Sequence, residues 1–309
     1  MDSIRSYDDD DRVARPSVSS RWAVRRQSLA ATLPPESFFL ISAVFHYLGP
    51  AFAVLLFARV DVLGVAWLRI VSAAVIFGLW RRPWRRFAAL GSADRRLIVA
   101  WAVVLAAMNC SFYLAIDRLA LGTVAAIEFL PVIVLAAIGS RTARNLGALA
   151  LAAVGVYLLT DVVLAGEPLG VVFAFVNAGL FAAYITLGHR VAQGGAGMGI
   201  DGLAASMLIA AVVVTPFAGL AAIHALMDPM AVVAGIGVGI SSSVIPYVTD
   251  QLAMARMKRA TYALLVSLLP ATATVVGIIV LVQIPTIAEI AGVGLVIVAV
   301  ALHRDAESR

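Results

Sequence analysis

Long apolar runs recur along almost the whole chain and limit its possible folds more than any other feature. A helix that spans a bilayer needs about 20 mostly apolar residues. Ten runs approach that length, near 37–57, 62–80, 97–116, 119–139, 145–161, 168–188, 202–223, 229–252, 260–282 and 286–302. Of the 309 residues, 62% are hydrophobic and 13% are charged, whereas soluble domains are about 45–50% apolar and about 25% charged. The sequence therefore predicts an all-α, polytopic membrane protein with ten transmembrane helices.

The basic residues lie mainly between these runs, and their distribution predicts the orientation of the chain. If the N-terminus is cytoplasmic, the inner loops from Arg21 onward hold seventeen arginines and lysines, and the outer loops hold only Arg59 and Arg118. This is a strong positive-inside bias. We therefore expect a multi-pass protein with both termini in the cytoplasm. The net charge of +5 serves this topology, so we expect no nucleic-acid partner.

The chain divides into two similar halves between two polar ends. Residues 1–34 and 304–309 are expected to form a disordered cytoplasmic tail and the cytoplasmic C-terminus. Residues 35–162 and 163–303 are each expected to hold five helices, and a short pattern recurs in them: Leu114-Ala115, Arg118 and Pro131, then Leu252-Ala253, Arg256 and Pro270. Because five is odd, the second copy enters from the opposite side. Such inverted repeats place a substrate site near the bilayer midplane.

One acid, Glu128, lies deep inside the fourth predicted helix, three residues before Pro131. A charge at that depth costs roughly 2.5–3.5 kcal/mol on insertion scales, so intramembrane acids usually face protein or water and have a function. A carboxylate at this place can bind a substrate ammonium or a proton but not both easily, which is a simple route to antiport. The alternative is that Glu128 is a buried structural partner of Arg69.

Other polar residues inside the predicted helices are candidates for the walls of a substrate cavity. Asp250 follows Tyr247 on one helical face, although its place near the cytoplasmic end equally suits an interfacial acid. Arg69 could bind a substrate carboxylate, neutralise Glu128 or cap a neighbouring helix. His46 could carry a proton, but a lone histidine is more often a structural donor.

Two further helices carry pairs of polar residues at helical spacing. Asn109 and Tyr113 are four residues apart on the third predicted helix, and Asn177 and Tyr184 are seven apart on the sixth. Each pair could line the substrate cavity or form hydrogen bonds between helices.

Several motifs in both halves resemble those of a known family. They are Gly64–Arg69 with Arg81–Arg85, Phe112–Ile116, Leu121–Ala125, Ile127–Phe129, Ser242–Tyr247 and Leu265–Pro270. These motifs resemble the drug/metabolite transporter superfamily, EamA type, and within it the bacterial threonine/homoserine exporters. The resemblance covers residues 37–303 and implies ten helices, cytoplasmic termini, a location in the bacterial inner membrane and export of small metabolites. After the ninth helix, where many relatives carry Gly-Glu, this chain has Val282-Gln283.

These observations together predict a secondary active exporter of a small metabolite, with a threonine- or homoserine-like amino acid as the expected substrate. It would work by alternating access, driven by protons or another coupling ion. The sequence has no Walker A, H-E-x-x-H or G-x-S-x-G motif, so we expect no ATPase, no enzyme, no metal and no cofactor. The alternatives are an exporter of another metabolite or drug, a membrane-embedded enzyme, or a channel. The oligomeric state stays open.

Overall fold

The computed structural model describes residues 34–131, 133–134, 142–164, 167–193, 199–254, 256–257, 265 and 268–302. All regular secondary structure within these ranges is helical. The helices are α1 Pro35–Leu56, α2 Val62–Arg81, α3 Trp84–Ala89, α4 Ser92–Ile116, α5 Leu121–Glu128, α6 Ala143–Leu164, α7 Pro168–Gln193, α8 Gly199–Leu226, α9 Pro229–Gly239, α10 Ile245–Met254, α11 Leu269–Leu281 and α12 Ile287–Leu302. A π-helix, Ile240–Val244, joins α9 to α10. The predicted tail before residue 34 and the C-terminal residues 304–309 lie outside the described residues.

Six segments in the described part of the chain are long and apolar enough to cross a membrane. They comprise α1, α2, α4, α7, α8 and the continuous stretch from α9 into α10, Pro229–Asp250. Shorter apolar helices, Ala143–Leu159, Leu269–Leu281 and Ile287–Leu302, coincide with three further predicted spans. The all-helical, multi-pass architecture is confirmed, and the full count of ten crossings stays a prediction.

Local sequence determines where several of these helices begin and end. Asp61 caps α2 by accepting a hydrogen bond from Leu63 N at 2.9 Å, and Asp228 caps α9 by accepting one from Met230 N at 2.9 Å. Such side-chain caps satisfy backbone donors that the first helical turn leaves free. The ends of α2 and α11 are set by residues with left-handed backbone, Arg82 (φ 48°) and Val282 (φ 55°).

The helices pack in pairs that place the two halves of the chain against each other. The most extensive contacts join α2 to α8, α6 to α12, and α4 to α7, and α1 packs against the π-helix and α10. At the crossing of α6 and α12, a Cβ added to Gly155 would lie 2.8 Å from the carbonyl oxygen of Gly292, and the reverse holds as well. Small residues let these backbones approach closely, as is usual in membrane helix pairs.

Candidate functional site

A cavity of about 700 Å³ lies between helices of both halves, within the range of about 300–1,000 Å³ that is usual for ligand pockets. All nine candidate residues from the sequence lie in the described ranges, and eight of them line it: His46, Arg69, Asn109, Glu128, Asn177, Tyr184, Tyr247 and Asp250. The ninth, Tyr113, is fully buried outside the lining, against the guanidinium of Arg69. The fold therefore brings residues from six different helices to one cavity.

The cavity extends toward one end of the helix bundle. Its lining includes Gly188 and His189 near the end of α7 and Gly199 at the start of α8. This is the end that carries the arginines after α2, which the positive-inside bias predicts to be cytoplasmic. A smaller cavity of about 360 Å³ lies at the other end, lined by Asp117, Arg118 and residues before α12.

Glu128 is the last residue of α5, and the helix is interrupted at Phe129 directly after it. The side chain is buried, and Asn177 Nδ2 in α7 donates a hydrogen bond of 3.1 Å to its Oε1. Among the described residues, this amide is the only protein donor to the carboxylate. The other amide atom, Asn177 Oδ1, is buried and has no hydrogen-bond partner in the described part of the chain. A neutral amide from the second half therefore holds a carboxylate from the first half.

Arg69 is also buried, but its partners lie on the π-helix. Its Nε donates to Ser243 Oγ at 3.1 Å, and its Nη2 donates to the carbonyl oxygen of Ser242 at 3.1 Å. Its Cζ lies 5.4 Å from the centroid of the Tyr113 ring. Arg69 and Glu128, both within the described residues, form no ion pair. The direct contacts therefore join Glu128 to Asn177 and Arg69 to the π-helix, and the pairing of Glu128 with Arg69 stays a prediction.

The remaining candidates have their own contacts along the cavity wall. His46 packs edge-to-face on Tyr47 with ring centroids 5.3 Å apart. Asn109 Nδ2 donates to the carbonyl oxygen of Leu105 in its own helix at 2.8 Å. Tyr184 stacks on Trp101 with centroids 5.4 Å apart, and its backbone carbonyl accepts a hydrogen bond from Trp101 Nε1 at 3.1 Å.

Sequence reasoning found two tyrosines of the cavity wall, Tyr184 and Tyr247, but missed its tryptophan and phenylalanines. Trp101, Phe112, Phe129 and Phe181 all contribute to the lining. Phe181 was detectable, because it follows Asn177 by four residues and so lies on the same helical face. Trp101 was not, because its partner Tyr184 lies 83 residues away and only the tertiary fold brings the two rings together.

A second buried acid, Asp201 at the start of α8, was also missed. It lies at the edge of an apolar run, where an acid at a helix N-terminus is unremarkable in sequence. In the structure Arg81 Nε lies 2.6 Å from its Oδ1 and Arg86 Nη1 lies 2.5 Å from its Oδ2. The cluster ties α8 to α2 and α3 and does not belong to the cavity lining.

Comparisons with known proteins agree with this architecture, although no family model matches the chain. One solved crystal structure of a protein superposes with a TM-score of 0.56 at 20% identity, over 86% of this chain and 96% of that one, and so shares the fold. The chain is 31% identical to the threonine/homoserine exporter RhtA of Escherichia coli strain K12, over 81% of this chain and 84% of the relative.

A second exporter of the same name shows similar likeness. The threonine/homoserine exporter RhtA of Salmonella typhimurium strain LT2 is 30% identical over 75% of this chain and 78% of the relative. Both relatives are exporters and not enzymes, and both matches span most of each chain. The chain therefore belongs to the RhtA family of membrane exporters, which are of the drug/metabolite transporter type.

Proposed function

We propose that the protein is a secondary active exporter of small amino acids of the threonine and homoserine type, which exchanges substrate for protons at Glu128 by alternating access. The exporter would lie in the bacterial inner membrane with both termini in the cytoplasm. One observation carries the proposal: a buried carboxylate whose only protein donor among the described residues is a neutral amide lines a cavity between the two halves. Such a carboxylate has the capacity to bind a ligand cation or a proton.

The pairing of Glu128 with Asn177 suits a group that changes its protonation state. When the carboxyl is ionised, it accepts a hydrogen bond from Asn177 Nδ2, as in the structure. When it is protonated, it becomes a donor, and Asn177 Oδ1, which lacks a partner among the described residues, can accept once the amide rotates. Because a proton and a substrate ammonium compete for the same oxygens, the site would release one when it takes up the other.

Arg69 can hold the other end of an amino acid. A guanidinium carries five N–H donors, and hydrogen bonds to the π-helix engage two of them, those at Nε and Nη2. Arg69 also lines the cavity, so its guanidinium can donate from there to a substrate carboxylate. Glu128 and Arg69 would thus bind the ammonium and the carboxylate of one substrate, and their opposite charges would select a zwitterion.

The helix contacts support the proposed inverted repeats, 35–162 and 163–303. In that scheme α1 corresponds to α7, α2 to α8, α4 to α9–α10, α5 to α11, and α6 to α12. The contact of α4 with α7 then corresponds to that of α10 with α1, and α2–α8, α5–α11 and α6–α12 are pairs of corresponding helices. The interruption at Phe129 and the π-helix at Ile240–Val244 resemble the discontinuous helices at transporter midplane sites.

Transport by the purified protein in proteoliposomes tests the proposal. Labelled threonine should enter vesicles that hold unlabelled threonine (counterflow), the rate should saturate, and an imposed pH gradient should drive accumulation. Vesicles without protein are the control. A channel would give no counterflow, and an absence of any threonine or homoserine movement above the control would contradict the proposal.

A further inference from the structure

One face of α7 leads from the Glu128 carboxylate toward the open end of the cavity. Asn177, Phe181, Tyr184 and Gly188 follow each other at intervals of four, three and four residues, and all four line the cavity. At a rise of 1.5 Å per residue, the stretch from Asn177 to Tyr184 is about 10 Å long. This length matches a substrate whose charged end lies at Glu128 and whose side chain extends along α7.

The wall along this face is aromatic. Phe181 meets Phe129 edge-to-face with centroids 5.9 Å apart, and Tyr184 stacks on Trp101 with centroids 5.4 Å apart. Phe129 follows Glu128 directly in the chain, so aromatic surface begins beside the carboxylate. Aromatic faces and edges bind apolar and aromatic groups by burial and by ring contacts.

Part of the polar lining is already engaged within the protein, and the cavity is large. Two polar side chains of the lining already donate to backbone oxygens, Asn109 to Leu105 at 2.8 Å and Ser42 to Pro246 at 3.2 Å. Threonine occupies roughly the volume of four or five water molecules at about 30 Å³ each, which is a small part of a cavity of about 700 Å³. The cavity therefore has room for a side chain much larger than that of threonine.

We infer that the cavity takes amino acids with large apolar or aromatic side chains in addition to threonine and homoserine. This inference rests on the proposed function and names a wider substrate class for the same site. The ammonium binds Glu128, the carboxylate binds Arg69, and the side chain lies against Phe129, Phe181, Tyr184 and Trp101. Amino acids with acidic side chains should bind poorly, because a second negative charge would lie against these four rings, none of which carries a positive charge.

Competition in the counterflow assay tests the inference. We expect unlabelled phenylalanine and leucine to inhibit labelled threonine counterflow at concentrations about tenfold lower than alanine, as expected for the larger apolar area they bury. Glutamate should not inhibit. Labelled phenylalanine should itself exchange. If threonine exchanges while phenylalanine neither competes nor moves, the inference is overturned and the proposed function stands. If no amino acid moves above protein-free vesicles, both are overturned.

Two matched substitutions on α7 test whether the aromatic wall of the cavity causes the binding of large apolar side chains. Phe181→Ala removes a ring from the cavity wall, and Phe175→Ala removes an exposed ring that is not part of the lining. We expect the ratio of kcat/KM for phenylalanine to that for threonine to fall about tenfold in Phe181→Ala and to stay unchanged in Phe175→Ala. Phe181→Leu, which keeps most of the packing volume, should lower the ratio less. An unchanged ratio in both Phe181 variants would contradict the inference.

Discussion

Glu128 and Asp201 are buried to the same degree, 5% and 4% exposed, but their partners differ. Asp201 has an arginine at each carboxylate oxygen, at 2.6 and 2.5 Å. Glu128 has a neutral amide at 3.1 Å. A carboxylate that two arginines already neutralise has little electrostatic attraction left for a ligand. A buried carboxylate without such a cation costs free energy, so a protein usually retains it for a function. The comparison shows that the partner of a buried acid, more than its burial, indicates whether it ties the fold together or binds a ligand.

The largest expected effect is the loss of transport in Glu128→Gln. Glutamine keeps the size of the side chain and can still accept a hydrogen bond from Asn177, but it carries no charge for an ammonium or a proton. We expect threonine counterflow to fall about 100-fold, the scale for losing one partner of a buried charged contact. The melting temperature in detergent should not fall. The matched control is Glu36→Gln in the first turn of α1, where an exposed acid lies outside the lining of both cavities. It should transport normally.

Asp201→Asn should give the reverse pattern, with lower stability and retained transport per folded molecule. It leaves Arg81 and Arg86 without their carboxylate, but both arginines are partly exposed. We therefore expect a loss of about 1–3 kcal/mol, below the roughly 3–5 kcal/mol for a fully buried pair. Thermal unfolding in detergent measures it. Asp228→Asn is the control, because asparagine caps a helix as well as aspartate does. If Asp201→Asn were as stable as Asp228→Asn, Asp201 would not be a stabilising acid and its contrast with Glu128 would be lost.

A smaller effect is expected for Asn177→Leu, which deletes the amide that holds Glu128. A buried polar group without its hydrogen bond typically costs about 1–3 kcal/mol, so we expect counterflow to slow about tenfold. The double variant with Glu128→Gln tests whether the two act together. Its counterflow should be no slower than that of Glu128→Gln alone, because residues that act as a unit have non-additive effects. If the losses of counterflow in the two single variants added up in the double variant, Asn177 would act independently of the Glu128 carboxylate.

The smallest expected effect is a change in stability in Val282→Gly. This substitution relieves backbone strain and alters no charge. Val282 ends α11 with φ 55°, and left-handed backbone costs a residue with a Cβ roughly 1–2 kcal/mol, part of which glycine regains in the unfolded chain. We expect this variant to be more stable by about 1 kcal/mol or less. Val275→Gly, inside α11, should instead lower stability by about 0.5–1 kcal/mol. A lower melting temperature for Val282→Gly would show that the valine makes compensating contacts.

Much of this structure could be predicted from local sequence. Long apolar runs predict the membrane helices, and a polar residue inside such a run is easily recognised as a candidate for a functional site. Glu128, Asn177 and Arg69 were identified in this way, and all three line the cavity. The resemblance to the family showed that Val282-Gln283 replaces the Gly-Glu of many relatives. It did not show that Val282 has a left-handed backbone. Nor did it show the role of Gln283, whose Oε1 accepts a hydrogen bond from Leu121 N at the start of α5.

The missed features depend on contacts between distant parts of the chain. Trp101 contributes to the cavity wall because α4 packs against α7, and Asp201 meets Arg81 because α8 packs against α2. Arg69 donates to two residues of a π-helix, and the local sequence did not reveal that the helix changes its hydrogen-bond register there. The ten crossings, the inverted repeats and the tail before residue 34 stay predictions.

Proton release on substrate binding tests most directly whether substrate and proton compete for Glu128. The purified protein in detergent and dilute buffer is titrated with threonine while a pH indicator reports protons set free. At a pH where the site is partly protonated, we predict release of up to one proton per bound threonine from wild type and from Asp201→Asn, and none from Glu128→Gln. Release from Glu128→Gln equal to that of wild type, or threonine binding by wild type without release at any pH, would contradict the account.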